Sequence, residues 1–483
     1  MSSRKHPSVN PGSGEKDIKN SRNRENNQHA STGLLNLQLS YALSAFIFLS
    51  LWLLLLHRFA LPKAILQYIK IDRKLTTQKP TVPPTCVDAN LSLFVYDLPP
   101  EFNLGLLKDC RHLNMFRDMC PHVANRGLGQ PLSGASWFAT NQFTAEMIFH
   151  ARAENHPCRT RDPSRANLFY VPFYGGLYVS SKFRETNVTA RDALVMMLAE
   201  YLEAEPWWQR RHGMDHFVVL GRTAWDFMRE IEVKSGADYG ASCLLKLPRV
   251  KNMSALIVER HPWQGSNQHG VPYPSYFHPF TSGEMLAWQN KVRLQSRPHL
   301  FSFVGAPRIG LKRAALRNEV IRQCDESSRC NLVKCGSGTS SCHEPMEVMK
   351  VMMGSEFCLQ VIGDSFTRRS TFDSVLAGCI PVFFSPHTAY SQYTWFLPAD
   401  SGLYSVYIEA GANGSLSRRR IEEELVKISA DTKKRMRNAV VELIPSLTYA
   451  HPNATGFALP DAVDVALAAL SKHVHTKLQH MAV

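Results

Sequence analysis

The sequence predicts an α/β protein of two Rossmann-like halves facing each other across a cleft, preceded by a single transmembrane helix. Three observations carry this expectation. Short apolar runs rich in β-branched and aromatic residues alternate with amphipathic stretches, the pattern of a parallel sheet covered on both faces. The alternation occurs twice, with a Trp- and Pro-rich stretch from Pro262 to Trp288 between the two series. Upstream of both, Leu37 to Leu56 reads LQLSYALSAFIFLSLWLLLL without a charge. At 483 residues, 44% hydrophobic and 20% charged, the composition is that of a folded protein and excludes a mostly disordered chain.

The N-terminal segments come first. Residues 1–36 are polar and hold no apolar face to offset ordering entropy, so they read as a disordered cytosolic tail. Residues 37–56 give about twenty apolar residues, roughly 30 Å of helix and the thickness of a bilayer core. Residues 57–85, ending KPTVPPT, read as a stem. Arg22 and Arg24 precede the apolar run, whereas Arg58, Lys63, Lys70, Arg73 and Lys74 follow it. That bias alone would place the C-terminal part in the cytosol. The cysteines and the sequons at Asn90, Asn187, Asn252, Asn413 and Asn453, candidate glycosylation sites downstream of the run, favour the lumen instead.

The first folded half spans 86–290. Leu93–Tyr96, Leu168–Phe173, Phe217–Leu220 and Leu256–Val258 read as strands, and Thr189–Glu203 as a helix capped by Thr189. The second spans 291–470, with 471–483 as a tail. It runs strand Leu300–Val304, helix Leu311–Gln323, a Cys-rich loop, helix Pro345–Met353, strand Phe357–Val361, helix Ser370–Ala377 and strand Ile380–Phe384. Two such halves in series place a ligand cleft at their junction.

Chemistry concentrates in GDSFTRRSTFDSVLAGCIPVFF, Gly363 to Phe384. A buried strand ends at Ile362, and Gly363 turns the chain through Asp364 and Ser365 into a helix near Ser370. Unpaired N–H groups and the positive helix end then face a ligand. Arg368 and Arg369 add the charge that a departing nucleoside diphosphate requires, and Asp373, one turn on, suits ribose hydroxyls. The plainer alternative makes Ser370 and Asp373 a capping box with the arginines solvated. A second loop, FSFVGAPR, repeats the pattern with Gly305 and Arg308. Both leave C-terminal strand ends, so a parallel sheet brings them to one edge.

Absences matter too. There is no Asp-x-Asp, HExxH, CxxC, P-loop or GxGxxG, so no metal is expected and arginines would take over its role. The net charge of +14 is about 3 per 100 residues, compatible with an anionic small molecule, and with the anchor it argues against nucleic acid.

CVDANLSLFVYDLPPEFN, WFATNQFTAEMIFHARAENHPCRTRDPSRANLFYVPFYGGL, MDHFVVLGRTAWDF, LPRVKNMSALIVERHPW, VPYPSYFHP, LFSFVGAPR, FCLQVIGDSFTRRSTFDSVLAGCIPVFF and YSQYTWFLP resemble the exostosin-like glycosyltransferase family 47 of plants over about Cys86 to Leu470. Within it they are similar to the xyloglucan galactosyltransferase (katamari-type) clade. The resemblance implies a GT-B fold and single-pass type II topology in the Golgi membrane. It also implies inverting transfer of galactose from UDP-galactose, β-1,2, onto xylose side chains of xyloglucan, alongside other wall-polysaccharide transferases. Ser370 and Thr371 separate the arginines from the Phe372–Asp373 pair, which leaves open whether Arg368 or Arg369 meets the phosphate.

Inverting transfer needs a general base on the N-terminal half. Asp97 and Glu259 each follow a strand at its cleft end, with His278 behind them. Asp97 has a competing role as a turn residue before Pro99, and Glu259 as an ion-pair partner of Arg260 or Arg222. Sugar faces stack on aromatic rings, so Trp137, Tyr174, Trp263 and Tyr273 are acceptor candidates. Cys324, Cys330, Cys335 and Cys342 are expected in disulfides, and eleven cysteines leave one over. The function expected is a metal-independent UDP-sugar transferase. Another donor sugar, galacturonic acid or arabinose, or a non-catalytic Golgi scaffold are the alternatives.

Overall fold

The computed structural model describes residues 47–52, 86 and 88–481, apart from 133, 233–240, 309, 311–314, 337–341, 343, 412–415, 417–419 and 455–456. Two compact units divide at Lys79/Pro80. Of the expected transmembrane run only 47–52 is described, and it is helical; the rest, with the tail and the stem, lies outside the described residues. Among the described residues no helix is long and apolar enough to cross a membrane.

The second unit holds two parallel sheets. The first comprises β1 (Leu93–Val95), β2 (Arg159–Thr160), β3 (Leu168–Val171), β4 (His216–Thr223), β5 (Ser254–Glu259) and β6 (Gln268–Gly270) in the order β2-β1-β3-β4-β5-β6. Its helices are α1 (Ala145–Glu154), α2 (Gly175–Ser181) and α3 (Val188–Ala204). Strand periodicity splits the core cleanly. Phe217, Val219, Leu256 and Val258 belong to one apolar cluster, whereas Val218, Leu220, Ala255 and Ile257 belong to another. Such strands are buried on both faces, which is why they read as unbroken apolar runs. The α3 cap is Asn187 and not Thr189: its Oδ1 accepts from the N–H groups of Thr189 (3.0 Å) and Ala190 (3.3 Å).

A helix, α4 (Ser282–Leu294), begins within the Trp- and Pro-rich stretch, continues past its end at Trp288, and carries a capping box, Thr281 with Glu284. The second sheet follows: β7 (His299–Gly305), β8 (Cys330–Lys334), β9 (Ser355–Gln360), β10 (Ile380–Phe383) and β11 (Val406–Tyr407), in the order β11-β10-β9-β7-β8. It is covered by α5 (Ala315–Glu326), α6 (Pro345–Met353), α7 (Arg369–Leu376) and α8 (Ala430–Glu442). The expected Cys-rich loop thus contains a strand, β8. Finally α9 (Ala462–Met481) returns to the first sheet. There Asp461 pairs with Arg152 (2.8 Å) and Asp464 with His156 (3.1 Å), all largely buried. Residues 471–481 belong to this helix.

One apolar core runs through both sheets' domains. Trp137 sits within it, its ring 4.7 Å from that of Trp288 and 5.1 Å from Phe277. Five disulfides form, Cys86–Cys158, Cys110–Cys120, Cys324–Cys330, Cys335–Cys342 and Cys358–Cys379, and the remaining Cys243 is a buried thiol.

Candidate active site

In the second sheet, β7 is flanked by β8 on one side and β9 on the other. The chain direction across the sheet therefore reverses between β7 and β9, and a ligand crevice opens beyond the C-terminal ends of the strands at such a point. The loops of Gly305–Arg308 and Gly363–Arg368 leave those two strand ends. Opposite them, the first domain contributes the end of β4 and the turn after it. Between these walls lies a cavity of about 920 Å³.

Arg308, Arg317 and Arg368 line the second-domain wall with Gly363, Asp364, Ser365, Phe366 and Thr367. At each glycine an arginine lies over the open Cα face, so a side chain there would push the guanidinium from its place. A methyl on Gly305 would lie 2.5 Å from Arg317 Nη2, and one on Gly363 would collide with the Arg368 guanidinium. Arg368 is anchored through Nη1 to Ser365 Oγ (3.1 Å) and the Thr367 carbonyl (2.8 Å). Arg308 pairs with Asp364 at 3.1 Å, joining the two loops. Burial, with Arg368 and Arg308 close by, pulls the Arg317 pKa down to about 10. Asp364 offsets part of that positive charge, and an anion between the arginines would offset the rest.

The opposite wall carries Arg222, Trp225, Asp226 and Trp263. Arg222 is held by Asp226 (3.0 Å) and donates to Ser180 Oγ (3.0 Å), with its guanidinium 4.8 Å above the Phe143 ring. Behind it the buried Glu146 accepts from the N–H groups of Gly176, Leu177 and Gly221, each at 2.9 Å. Those bonds fix the end of β4.

The structure separates the expected site residues into groups. Gly363, Asp364, Ser365, Arg308, Arg368, Trp263 and Tyr273 line the cavity, and Gly305 stands behind it under Arg317. Arg369 and Asp373 do not line it. Arg369 turns to the domain seam, where Nη1 donates to the Thr140 carbonyl (2.9 Å), Nη2 bonds Tyr276 Oη and Nε pairs with Asp373 (3.3 Å). Asp373 is buried there and accepts from Ser275 Oγ (2.6 Å). The alternative capping box is absent as well, because Ser370 Oγ donates to Gln360 Oε1 (2.6 Å).

The three expected bases also part company. Glu259, fully buried at the end of β5, reaches the cavity wall and accepts from Thr367 and Trp225. Asp97 is exposed in a different cavity of about 820 Å³ that also holds Tyr174. His278 is wholly buried away from both: Nε2 meets Thr140 Oγ1 (2.9 Å) and Nδ1 the Tyr449 carbonyl (2.8 Å), and burial drives its pKa down to about 4. Trp137 is core. Of the sequons, Asn90, Asn187 and Asn453 are exposed, Asn252 donates its amide to the His212 carbonyl (3.2 Å), and Asn413 lies outside the described residues.

Sequence reasoning missed Arg222, Asp226 and Arg317. The first two had a signal: VVLGRTAWD repeats the strand-Gly-Arg pattern of FVGAPR. Arg317 had none, being one cation on an amphipathic helix. Among the described residues no cluster of three or more His, Cys, Asp or Glu has the form of a metal site.

Fold and cavity together define a two-domain α/β protein with arginines gathered at a switch-point crevice. The exostosin GT47 domain profile matches residues 88–424. The chain belongs to the exostosin GT47 family of glycosyltransferases. It is 60% identical over 394 residues to a probable xyloglucan galactosyltransferase, GT17, of Arabidopsis thaliana, covering 81% of this chain and 84% of that one. Identity to the xyloglucan galactosyltransferase MUR3 of the same plant is 43% over 387 residues, 78% of this chain and 61% of that one. To a xyloglucan-specific galacturonosyltransferase, also from Arabidopsis thaliana, it is 39% over 387 residues, 79% and 57% respectively.

Proposed function

We propose that the protein is an inverting, metal-independent galactosyltransferase of GT-B architecture. It moves galactose from UDP-galactose onto xylose side chains of xyloglucan in β-1,2 linkage. The observation that carries this reading is the convergence of Arg308, Arg317 and Arg368 on one cavity, where they would bind the donor diphosphate and stabilise charge on departing UDP.

Galactose is preferred over galacturonic acid on electrostatic grounds. The cation across the cleft, Arg222, is already paired with Asp226, so among the described residues lining that wall no unpaired guanidinium awaits a sugar carboxylate. Proton removal from the acceptor hydroxyl falls to Asp226, the carboxylate that lines the first-domain wall. Trp263, 66% exposed, offers the ring on which a sugar face stacks. Five disulfides favour an oxidising compartment, and with the apolar run at 37–56 they support a Golgi membrane anchor with the catalytic part in the lumen.

The test incubates the purified protein with a panel of UDP-sugars and a xylosylated xyloglucan oligosaccharide and reads product mass. Addition of one hexose from UDP-galactose alone is expected. Transfer from UDP-galacturonic acid instead would overturn the donor assignment, and UDP binding without transfer from any donor would overturn the acceptor.

A further inference from the structure

The arginine-lined cleft does not end at Gln142 and Phe143. These two residues, in the turn before α1, also wall a second cavity of about 390 Å³, bounded by the loop at 114–117 of the first domain and by Pro345 and Arg369 of the second. One side of it is rigid, because Arg369 is fixed by Thr140 and Asp373 and lies 4.2 Å from the centre of the Tyr276 ring. A polymer with one sugar unit reacting in the first cavity must leave it somewhere. An adjoining cavity at the same seam offers the way out.

Among the described residues that line this second cavity there is no carboxylate, and amides recur instead. Asn114 and Asn141 are held locally, their Oδ1 atoms accepting from the N–H groups of Phe116 (2.8 Å) and Phe143 (3.0 Å), which leaves both Nδ2 groups as donors. The side chains of Gln142 and Arg117 make no hydrogen bond or ion pair among the described residues. His122 Nδ1 donates to the Ala139 carbonyl (3.1 Å), and burial, with Arg117 and Arg369 nearby, lowers its pKa, so the ring is neutral and Nε2 is an acceptor. Uncharged donors and acceptors beside an aromatic face match sugar hydroxyls and C–H faces. Phe116 supplies the face: it is 79% exposed, and its ring lies 6.4 Å from that of Phe183, which lines the first cavity. A solitary exposed ring is ordinary, whereas this pair forms an aromatic strip from one polar cavity to the next. Arg117 is exposed, so water screens its charge and no counter-ion is required, and its N–H fork suits adjacent hydroxyl oxygens.

We propose that this second cavity is an acceptor subsite, holding neutral sugar units of the polysaccharide that lie beyond the unit receiving the transferred sugar. Phe116, Arg117 and Gln142 give it a preference for a long acceptor. The subsite, which rests on the transfer to a polysaccharide proposed above, sets the direction in which the polymer leaves the cleft.

The experiment measures initial rates of the full chain with UDP-galactose and a series of xylosylated cello-oligosaccharides of decreasing length. Phe116→Ala and Arg117→Ala are each expected to raise KM for the longest acceptor by about fivefold, and the double variant by about tenfold or more, while kcat and the KM for UDP-galactose change less than about twofold. The difference from the natural chain should vanish at the shortest acceptor that still receives a sugar. Phe116→Tyr, which keeps the ring, should match the natural chain and so separates stacking from damage to the loop. An unchanged acceptor KM in the double variant, or an equal rise at every acceptor length, would overturn the subsite and leave the transfer reaction standing. An acceptor KM that climbs steeply between about 50 and about 500 mM salt would mark an anionic ligand and overturn the neutral assignment. Absence of transfer by the natural chain to any member of the series would overturn the reaction itself, and the subsite with it.

Discussion

Glu259, on the first sheet, accepts from both the backbone N–H (2.7 Å) and the hydroxyl (2.5 Å) of Thr367, in the arginine-bearing loop of the second. Trp225 Nε1 donates to its other oxygen at 3.2 Å. A carboxylate so engaged fixes the loop that presents Arg368. Glu259→Gln is therefore expected to raise KM for the UDP-sugar and lower the unfolding temperature, with kcat changed less than about tenfold. A loss of kcat of about 10²-fold or more at unchanged KM would make Glu259 the base instead.

Adjacent arginines should behave differently. Arg368→Ala is expected to weaken UDP binding by about tenfold or more, the worth of one charge-assisted contact, while leaving the fold intact. Arg369→Ala strands Asp373 in the seam with Ser275 as its remaining polar partner. It should destabilise by about 3 kcal/mol. Calorimetric UDP titration and chemical denaturation of both variants check the contrast.

Acid should destabilise the protein partly through His278. Its folded pKa, about 4, lies below the ordinary value of 6.5, so between these values the unfolded chain binds more protons. This contribution is full above about 6.5, is lost progressively as pH falls toward 4, and amounts to about 3 kcal/mol. The difference in unfolding free energy between the natural chain and His278→Gln, followed from pH 7 to pH 4, should shrink on acidification. A constant difference would remove His278 from the account.

Chelation should leave transfer largely intact, because the guanidinium groups of Arg308, Arg317 and Arg368 supply the charge that a cation would. Turnover is measured with and without EDTA. Complete loss reversed by manganese would sink the arginine mechanism.

Much of this was legible in the residues, for identifiable reasons. β3, β4, β5, β7, β9 and β10 are buried on both faces, which demands apolar runs. β2, Arg-Thr, and β6, Gln-His-Gly, are short, polar and at sheet edges, so pairing geometry alone makes them strands. The two Gly/Arg loops were readable because a tight turn after a buried strand leaves few other uses for such residues. Choosing Arg368 over Arg369 was not, since they straddle the start of α7, where one position of rotation sends a side chain out of the cavity and into the domain seam. Glu259 and His278 share a sequence profile, a polar residue beside an apolar or aromatic run. Only tertiary contacts tell a wall from an interior.

The return of α9 to the first sheet bears on how the chain is made. Arg152 and His156 await Asp461 and Asp464, which leave the ribosome more than three hundred residues later. Domains usually fold as units during synthesis, the N-terminal one first. Here the first domain emerges early but cannot close its buried ion pairs until α9 has emerged. A stop codon before α9 would therefore spoil the domain made first, and a nascent chain should gain protease resistance in both halves together, once α9 is out.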